Sequence, residues 1–317
     1  MKSRRHDIST TYLGIPLRSP LIPSASPLSR NIAALEEMER RGAGAVVFHS
    51  LFEEQFVANP ATRQEYCEQI TLAKKKLSIP VIGSLSARTA SGWADLAYAI
   101  EQAGADALEL NVFETRLSTT VPPGAIEAIY IETVQKVVAS VRIPVSVKLP
   151  PFFTNLAYIT KELEEAGAKG FVLFNRFYLP ETNLRTLAPE DSLKLSSSAE
   201  NRLSLRWISL LYRPIQADLV ANTGIRTGAD VLKMILAGAA ATELCAVLLQ
   251  RGISWLDIIH EELRAALTNA NMTSLTEARG TLAHNYLQGP GAIEREEYQN
   301  ALQGYAQFDA PTWAATA

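Results

Sequence analysis

Short β-branched or apolar runs alternate along this chain with longer amphipathic runs, a pattern that predicts strands and helices in turn. Strands are expected near Pro20–Ala25, Ala45–His49, Val81–Leu85, Ala107–Phe113, Val145–Leu149, Gly170–Asn175, Ala217–Asn222 and Thr242–Leu248. Helical periods fall between them, near Leu28–Arg41, Thr62–Lys76, Gly92–Ala103, Ile126–Ser140, Leu156–Ala166, Ala199–Tyr212 and Ala229–Ala237, with a last one near Trp255–Leu267. Such alternation implies a parallel sheet.

The joins repeat as well. Gly42, Gly104, Gly167 and Gly238 end the helices before the second, fourth, sixth and eighth strands, where glycine tolerates a left-handed backbone. Ile79-Pro80-Val81 and Ile143-Pro144-Val145 precede the third and fifth, and Pro214-Ile215 is a variant before the seventh. A two-strand unit repeated to eight strands predicts an α/β fold, a closed (β/α)8 TIM barrel. An open doubly wound sheet is the competing architecture, but no Gly-x-Gly-x-x-Gly follows an early strand. Ile8–Leu17 reads as a small hairpin plugging the bottom of the barrel. Residues 269–317 read as a C-terminal helical tail with helical stretches at Leu275–Leu287 and Ile293–Leu302. The expected organisation is one domain over residues 1–317, with the barrel core at about 19–268.

Composition adds mainly exclusions. The 317 residues are 47% hydrophobic and 20% charged, with a net charge of -3, as in an ordinary globular enzyme. Lys74–Lys76 is the longest cationic run, which argues against a nucleic-acid partner. Cys67 and Cys245 lack disulfide or metal-ligand spacing, so a reducing, cytoplasmic setting is expected. Met1–Asp7 carries no apolar signal region and no run approaches a membrane span, so no membrane partner is expected.

In such a barrel, chemistry sits at the carboxyl ends of the strands. Those positions supply Ser24, Ala25 and Ser26, His49 and Ser50, Ser84 and Ser86, Asn111 with Glu114, Lys148, Asn175 with Arg176, Asn222–Gly224, and Cys245 with Ala246. These ends offer no paired carboxylates for glycoside hydrolysis, no metal cluster and no Ser/His/Asp arrangement. Lys148 stands out because two prolines follow Leu149 and stop the strand just after the charge. Asn and Ser at strand ends also cap turns and helices. Together with a lysine, they suit a flat hydrogen-bonding heterocycle such as a flavin, with the cation at its pyrimidine edge. The loops after the seventh and eighth strands, Asn222–Ile225 and Cys245-Ala246, are where barrels hold a phosphate.

With these residues the chain resembles the dihydroorotate dehydrogenase family of FMN flavoproteins. The matching runs are Leu13-Gly14, Leu21–Ser26, Gly42–Val47, Leu108–Asn111, Pro144–Pro151, Asn222–Gly228 and Leu236–Ala239. Ser50–Gln55, Leu173–Tyr178 and Ser204–Trp207 are more specific and resemble a divergent, dihydroorotate dehydrogenase-like branch. The resemblance implies FMN, with Lys148 at the pyrimidine edge and Ala25, Ser26, Ser50, Asn111 and Asn175 along the ring. It places Thr223, Gly224, Cys245 and Ala246 at the phosphate, and Asn111 and Asn175 at the substrate too. His49 and Arg176 are further substrate candidates, and soluble relatives imply a homodimer.

Several positions depart from the family pattern. Glu114 stands where the soluble class has a cysteine base, and His49 where a lysine is usual. Thr223-Gly224 replaces Gly-Gly, Cys245-Ala246 replaces Gly-Thr, and the usual substrate loop between Gln55 and Ile79 is missing. A glutamate beside Val112 and Phe113 could act as base if desolvation raised its pKa, while a solvated loop glutamate is the plainer reading. The 22 residues Phe177–Ser198 are long for a βα connection and suggest a lid, with Arg185 and Lys194 available to cover an anionic substrate. The leading expectation is an FMN-dependent dehydrogenase acting on a small planar anionic ring such as dihydroorotate. The alternatives are a flavin- or ligand-binding barrel without that activity, and a Schiff-base lyase using Lys148.

Overall fold

The computed structural model describes residues 6–112, 119–176, 180–190, 194–284 and 290–306. Its opening elements are β1 Thr10–Tyr12, β2 Ile15–Leu17, β3 Leu21–Pro23, α1 Ile32–Arg40, β4 Val46–Val47, β5 Leu51–Phe52, α2 Glu53–Ala58 and α3 Ala61–Lys76. There follow β6 Val81–Ser86, α4 Ala90–Gln102, β7 Ala107–Asn111, α5 Pro123–Ser140, β8 Val145–Leu149, α6 Leu156–Glu165 and β9 Gly170–Leu173. A hairpin comes next, β10 Glu181–Asn183 with β11 Ala188–Glu190. The chain then runs through α7 Asn201–Leu211, β12 Asp218–Ala221, α8 Gly228–Ala237, β13 Ala241–Leu244, α9 Ala246–Arg251, α10 Trp255–Asn269 and α11 Leu275–Ala278. Residues 1–283 form one compact unit and 284–317 a second, whose described element is α12 Pro290–Ala306.

Strands β4, β6, β7, β8, β9, β12, β13 and β3 follow one another through parallel pairing, and β5 adds a short second pairing on β6. The ring closes between its first two strands, where the Gly44 amide donates to the Leu21 carbonyl at 2.8 Å. Only a residue without a Cβ can do this, because a Cβ on Gly44 would stand 1.9 Å from the Ser19 carbonyl oxygen. The architecture is a (β/α)8 barrel.

Strand residues alternate between two cores, as a period of two requires. Leu108, Leu110, Val145, Val147 and Leu244 face outward and pack with helix residues such as Val134, Ile159 and Ile235. Ile22, Val47, Ile82, Ala107, Val172, Val220 and Ala241 face inward and pack with Tyr12, Leu13 and Leu17 of the β1–β2 hairpin, which plugs the barrel as expected.

A recurring clamp binds each two-strand unit to the next. Glu101 accepts from the Arg142 and Ile143 amides at 2.6 and 3.0 Å, and Glu164 from the Gln216 and Ala217 amides, both at 2.6 Å. Glu39 accepts likewise from the amide and hydroxyl of Ser78. Each glutamate lies three residues before a positive-φ glycine, Gly42, Gly104 or Gly167, and grips the join ahead of the third, fifth or seventh barrel strand.

Some expectations shift. The eighth strand stops at Leu244, and Ala246–Arg251 is helical rather than strand to Leu248. The helix expected from Leu28 is a 3-10 turn, Pro27–Arg30, followed by α1, because Asn31 is extended and its side chain caps the Ala33 and Ala34 amides. Of the helix expected at Leu275–Leu287 only α11 is helical as far as residue 284, residues 285–287 lying outside the described residues, while Ile293–Leu302 lies within α12. The long connection after β9 contains β10 and β11.

Candidate active site

Above the plugged apolar layer, the inward positions turn polar. Ser24 follows β3, Ser84 lies on β6, Glu109 on β7, Lys148 on β8 and Glu243 on β13, all buried. The Lys148 ammonium donates to Glu243 Oε2 at 2.7 Å, to Ser24 Oγ at 3.0 Å and to Glu109 Oε1 at 3.2 Å. Ser24 Oγ in turn donates to Glu243 Oε2 at 2.7 Å. An ammonium has three donors, and these partners take all of them. Burial opposes the Lys148 charge, but Glu109 and Glu243 together outweigh it and hold the pKa above its ordinary value. The two acids diverge. Burial and the neighbouring Glu243 push Glu109 well up, while burial of Glu243 is outweighed by Lys148, Glu109 and Ser24, which bring it down.

One step toward the rim, Asn111 ends β7 beside Lys148 in register, and the Asn175 amide after β9 donates to Asn111 Oδ1 at 2.5 Å. Asn222 and Thr223, after β12, both donate to the Phe174 carbonyl, at 3.2 and 3.0 Å. Thr223 and Gly224 are both left-handed, with φ 72° and 76°. A Cβ on Gly224 would meet the Ser197 carbonyl oxygen at 2.6 Å and the Asn201 nitrogen at 2.7 Å, so the turn needs glycine there. Ser196 lies across this turn, its Oγ accepting from the Gly224 amide at 3.2 Å and its carbonyl from Arg226 at 3.0 Å.

A cavity of about 180 Å3 opens among these groups. Ala25, Asn175, Arg176, Thr223, Gly224, Cys245 and Ala246, all singled out in the sequence, line it together with Ser24, Asn222 and Glu243. Lys148 lies beneath, behind Ser24 and Glu243, rather than in the wall. Asn111 is tied to the cavity through Asn175. The remaining expected residues sit elsewhere. Ser26 accepts through its carbonyl from Ser29 in the 3-10 turn, and Ser50 shares a 2.8 Å hydroxyl contact with Ser84. His49 packs edge-on to Tyr66, with ring centroids 5.0 Å apart, and burial pushes its pKa down to about 4, so it is a neutral ring. Arg176 pairs with Glu200 at 3.0 Å, and Lys194 with Glu181 on the hairpin. Glu114 lies outside the described residues.

The strand-end reading missed Glu109, Glu243 and Ser196. The acid pair also corrects the picture of Lys148 as a cation with only amides and hydroxyls around it. Burial pushes the Cys245 thiol up, and Lys148 only partly offsets this, so the sulfur at the cavity wall is a neutral thiol. Among the described residues there is no group of side chains arranged to hold a metal, and no helix long and apolar enough to cross a membrane.

The family model for dihydroorotate dehydrogenase matches residues 47–267, which contain all of the site except its β3 contribution. The chain is 27% identical over 302 residues to a protein of Thermoplasma volcanium named dihydroorotate dehydrogenase B (NAD(+)), catalytic subunit, covering 86% of this chain and 98% of that one. It is 23% identical over 303 residues to dihydroorotate dehydrogenase A (fumarate) of Lactobacillus helveticus, covering 86% and 97%. A Methanocella arvoryzae protein bearing the B-type name is 27% identical over 255 residues, covering 73% and 83%.

Proposed function

The chain belongs to the dihydroorotate dehydrogenase family, and from that premise we propose that it is an FMN-dependent oxidoreductase acting on a small planar anionic ring, dihydroorotate first among candidates. The observation that carries the reading is the Asn111–Asn175 amide pair at the barrel rim, of which Asn175 lines the cavity. Paired amides offer both donors and acceptors, the complement of an imide edge on a flavin or a pyrimidine. The donor set therefore fits FMN. Asn111, Asn175 and Ala25 would hold the ring, and the left-handed Thr223–Gly224 turn would turn its amides toward the phosphate. When bound, FMN would supply the two-electron acceptor.

Space is the tighter condition. The cavity is below the roughly 300–1,000 Å3 of sites that enclose a drug-sized ligand, so Ser196 must leave the Gly224 amide as the phosphate takes its place. The test is the visible absorption of the purified protein with FMN, then anaerobic addition of dihydroorotate. Bound flavin that bleaches supports the proposal, and an absence of bound flavin sinks it. Flavin that binds but stays oxidised favours the second reading, a flavin-binding barrel without this activity, for which the glutamate at position 114 speaks. Mixing the reduced protein with fumarate or NAD+ then identifies the acceptor. A Schiff-base lyase is disfavoured, because its lysine must shed a proton that two carboxyls hold on Lys148.

A further inference from the structure

We propose that Glu109 and Glu243 share a single proton at neutral pH, carried by Glu109, so that Glu109, Glu243 and Lys148 form one neutral unit at the floor of the cavity. The inference does not depend on any bound ring. Its first ground is charge. One ammonium contacts two carboxyl groups, at 3.2 and 2.7 Å, with side-chain exposures of 6% for Lys148, 1% for Glu109 and 0% for Glu243. Two carboxylates and one ammonium would leave an unbalanced negative charge in a dry interior, which proteins avoid by taking up a proton.

The second ground is hydrogen-bond accounting. Glu243 Oε2 accepts from both Lys148 and Ser24, yet Glu243 Oε1 is buried without a donor. A proton on the neighbouring Glu109 carboxyl, which is within hydrogen-bond reach of Glu243, supplies that donor. Glu109 rather than Glu243 is the carrier, because Glu243 has the shorter contact to the ammonium and the Ser24 hydroxyl besides. The opposite displacements of the two pKa values agree with this assignment.

The surroundings offer no other source of balance. Tyr12 from the hairpin faces both acids and Asp218, Tyr66 from α3 faces Glu109, and Cys245 faces Lys148 and Glu243. Burial keeps the two phenols and the thiol neutral, and among the described groups acting on the pair Lys148 is the sole cation. Lys148 therefore delivers little net charge to the cavity above it. Should Glu243 lose its charge, Glu109 would release its proton to solvent and become the counter-ion itself.

Infrared spectroscopy of the full chain without added ligand, in water and in deuterated water, reads the proton directly. The expected result is a protonated-carboxyl C=O band at neutral pH that shifts on deuteration and disappears in Glu109→Gln. In Glu243→Gln it disappears too, because Glu109 is then ionised. The second readout is stability. An acid with a raised folded pKa favours the folded state fully below its unfolded pKa of about 4.3, and that advantage is lost as pH rises toward the folded value. Glu109→Gln mimics the protonated acid and removes the loss, so its unfolding temperature at neutral pH should equal or exceed that of the unmodified chain. No such band, or a lower unfolding temperature for Glu109→Gln, overturns the proposal. Should Glu243→Gln fail to fold, the band and the Glu109→Gln comparison still decide.

Discussion

His49 shows how far burial alone can set the chemistry of one side chain. Its ring lies against Phe48 and Tyr66, and desolvation, aided by Arg30, brings its pKa from 6.5 to about 4. The unfolded chain thus takes up the proton first as the medium is acidified. Stability from this group is complete above about pH 6.5 and drains away down to about pH 4, at a slope no steeper than about 1.4 kcal/mol per pH unit and shallower where water screens the ring. His49→Phe should flatten that part of a denaturant-midpoint profile, and an unchanged slope would remove His49 as its source. Legibility in the sequence also turns on single residues. Taking strand ends picks out Asn111, Lys148 and Cys245, but the same inward face continues two residues back to Glu109 and Glu243. The period of two was enough to find both acids. Ser196 was beyond reach, because its role depends on a loop folding across a turn 28 residues away.

Among the elements, the helices do more than cover the barrel. Each clamp glutamate ties the end of one helix to the backbone of a join entering a later strand, so α1, α4 and α6 fix where the third, fifth and seventh strands begin. The repeat of Glu three residues before Gly is plain in the sequence, yet its function is not, since the amides it meets are 39 to 53 residues away. Glu101→Ala strands two backbone donors of the join, and should cost about 1–3 kcal/mol in chemical denaturation. Glu165→Ala, which removes an exposed carboxylate 3.9 Å from Lys161, should change stability by no more than about 0.5 kcal/mol. Equal costs for the two would mean that the clamp contributes nothing beyond ordinary surface charge. Where the elements departed from expectation, local chemistry prevailed over periodicity. Asn31 interrupts one amphipathic run by capping its second half, and the apolar run after Leu244 has length enough for either a strand or a helix turn.

At the scale of the whole molecule, the site exists only because the barrel closes, since Ser24 arrives on β3 and its partners Lys148 and Glu243 on β8 and β13. β3 and β13 are joined by a full parallel register, whereas β3 meets the second barrel strand at the Gly44–Leu21 bond. That seam is the closure's vulnerable point. A methyl on Gly44 would meet the Ser19 carbonyl, which is backbone and cannot turn aside as a side chain can, so the two strands must part. A methyl on Gly83 would instead meet the Ile100 Cγ2 at 2.3 Å, a side-chain methyl whose helix must shift to make room but which carries none of the seam's backbone bonds. Gly44→Ala should therefore cost about 3 kcal/mol or more, at the upper end of overpacking effects, and Gly83→Ala clearly less. Neither glycine has a left-handed backbone, so alanine tests close approach alone. Because opening the ring draws the paired β3 and β13 away from β8 across the barrel, it loosens the contacts of Ser24 and Glu243 with Lys148, and Gly44→Ala should also weaken ligand binding in whatever fraction still folds. Equal stability losses, with the cavity intact in both variants, would show that the ring holds together without this contact.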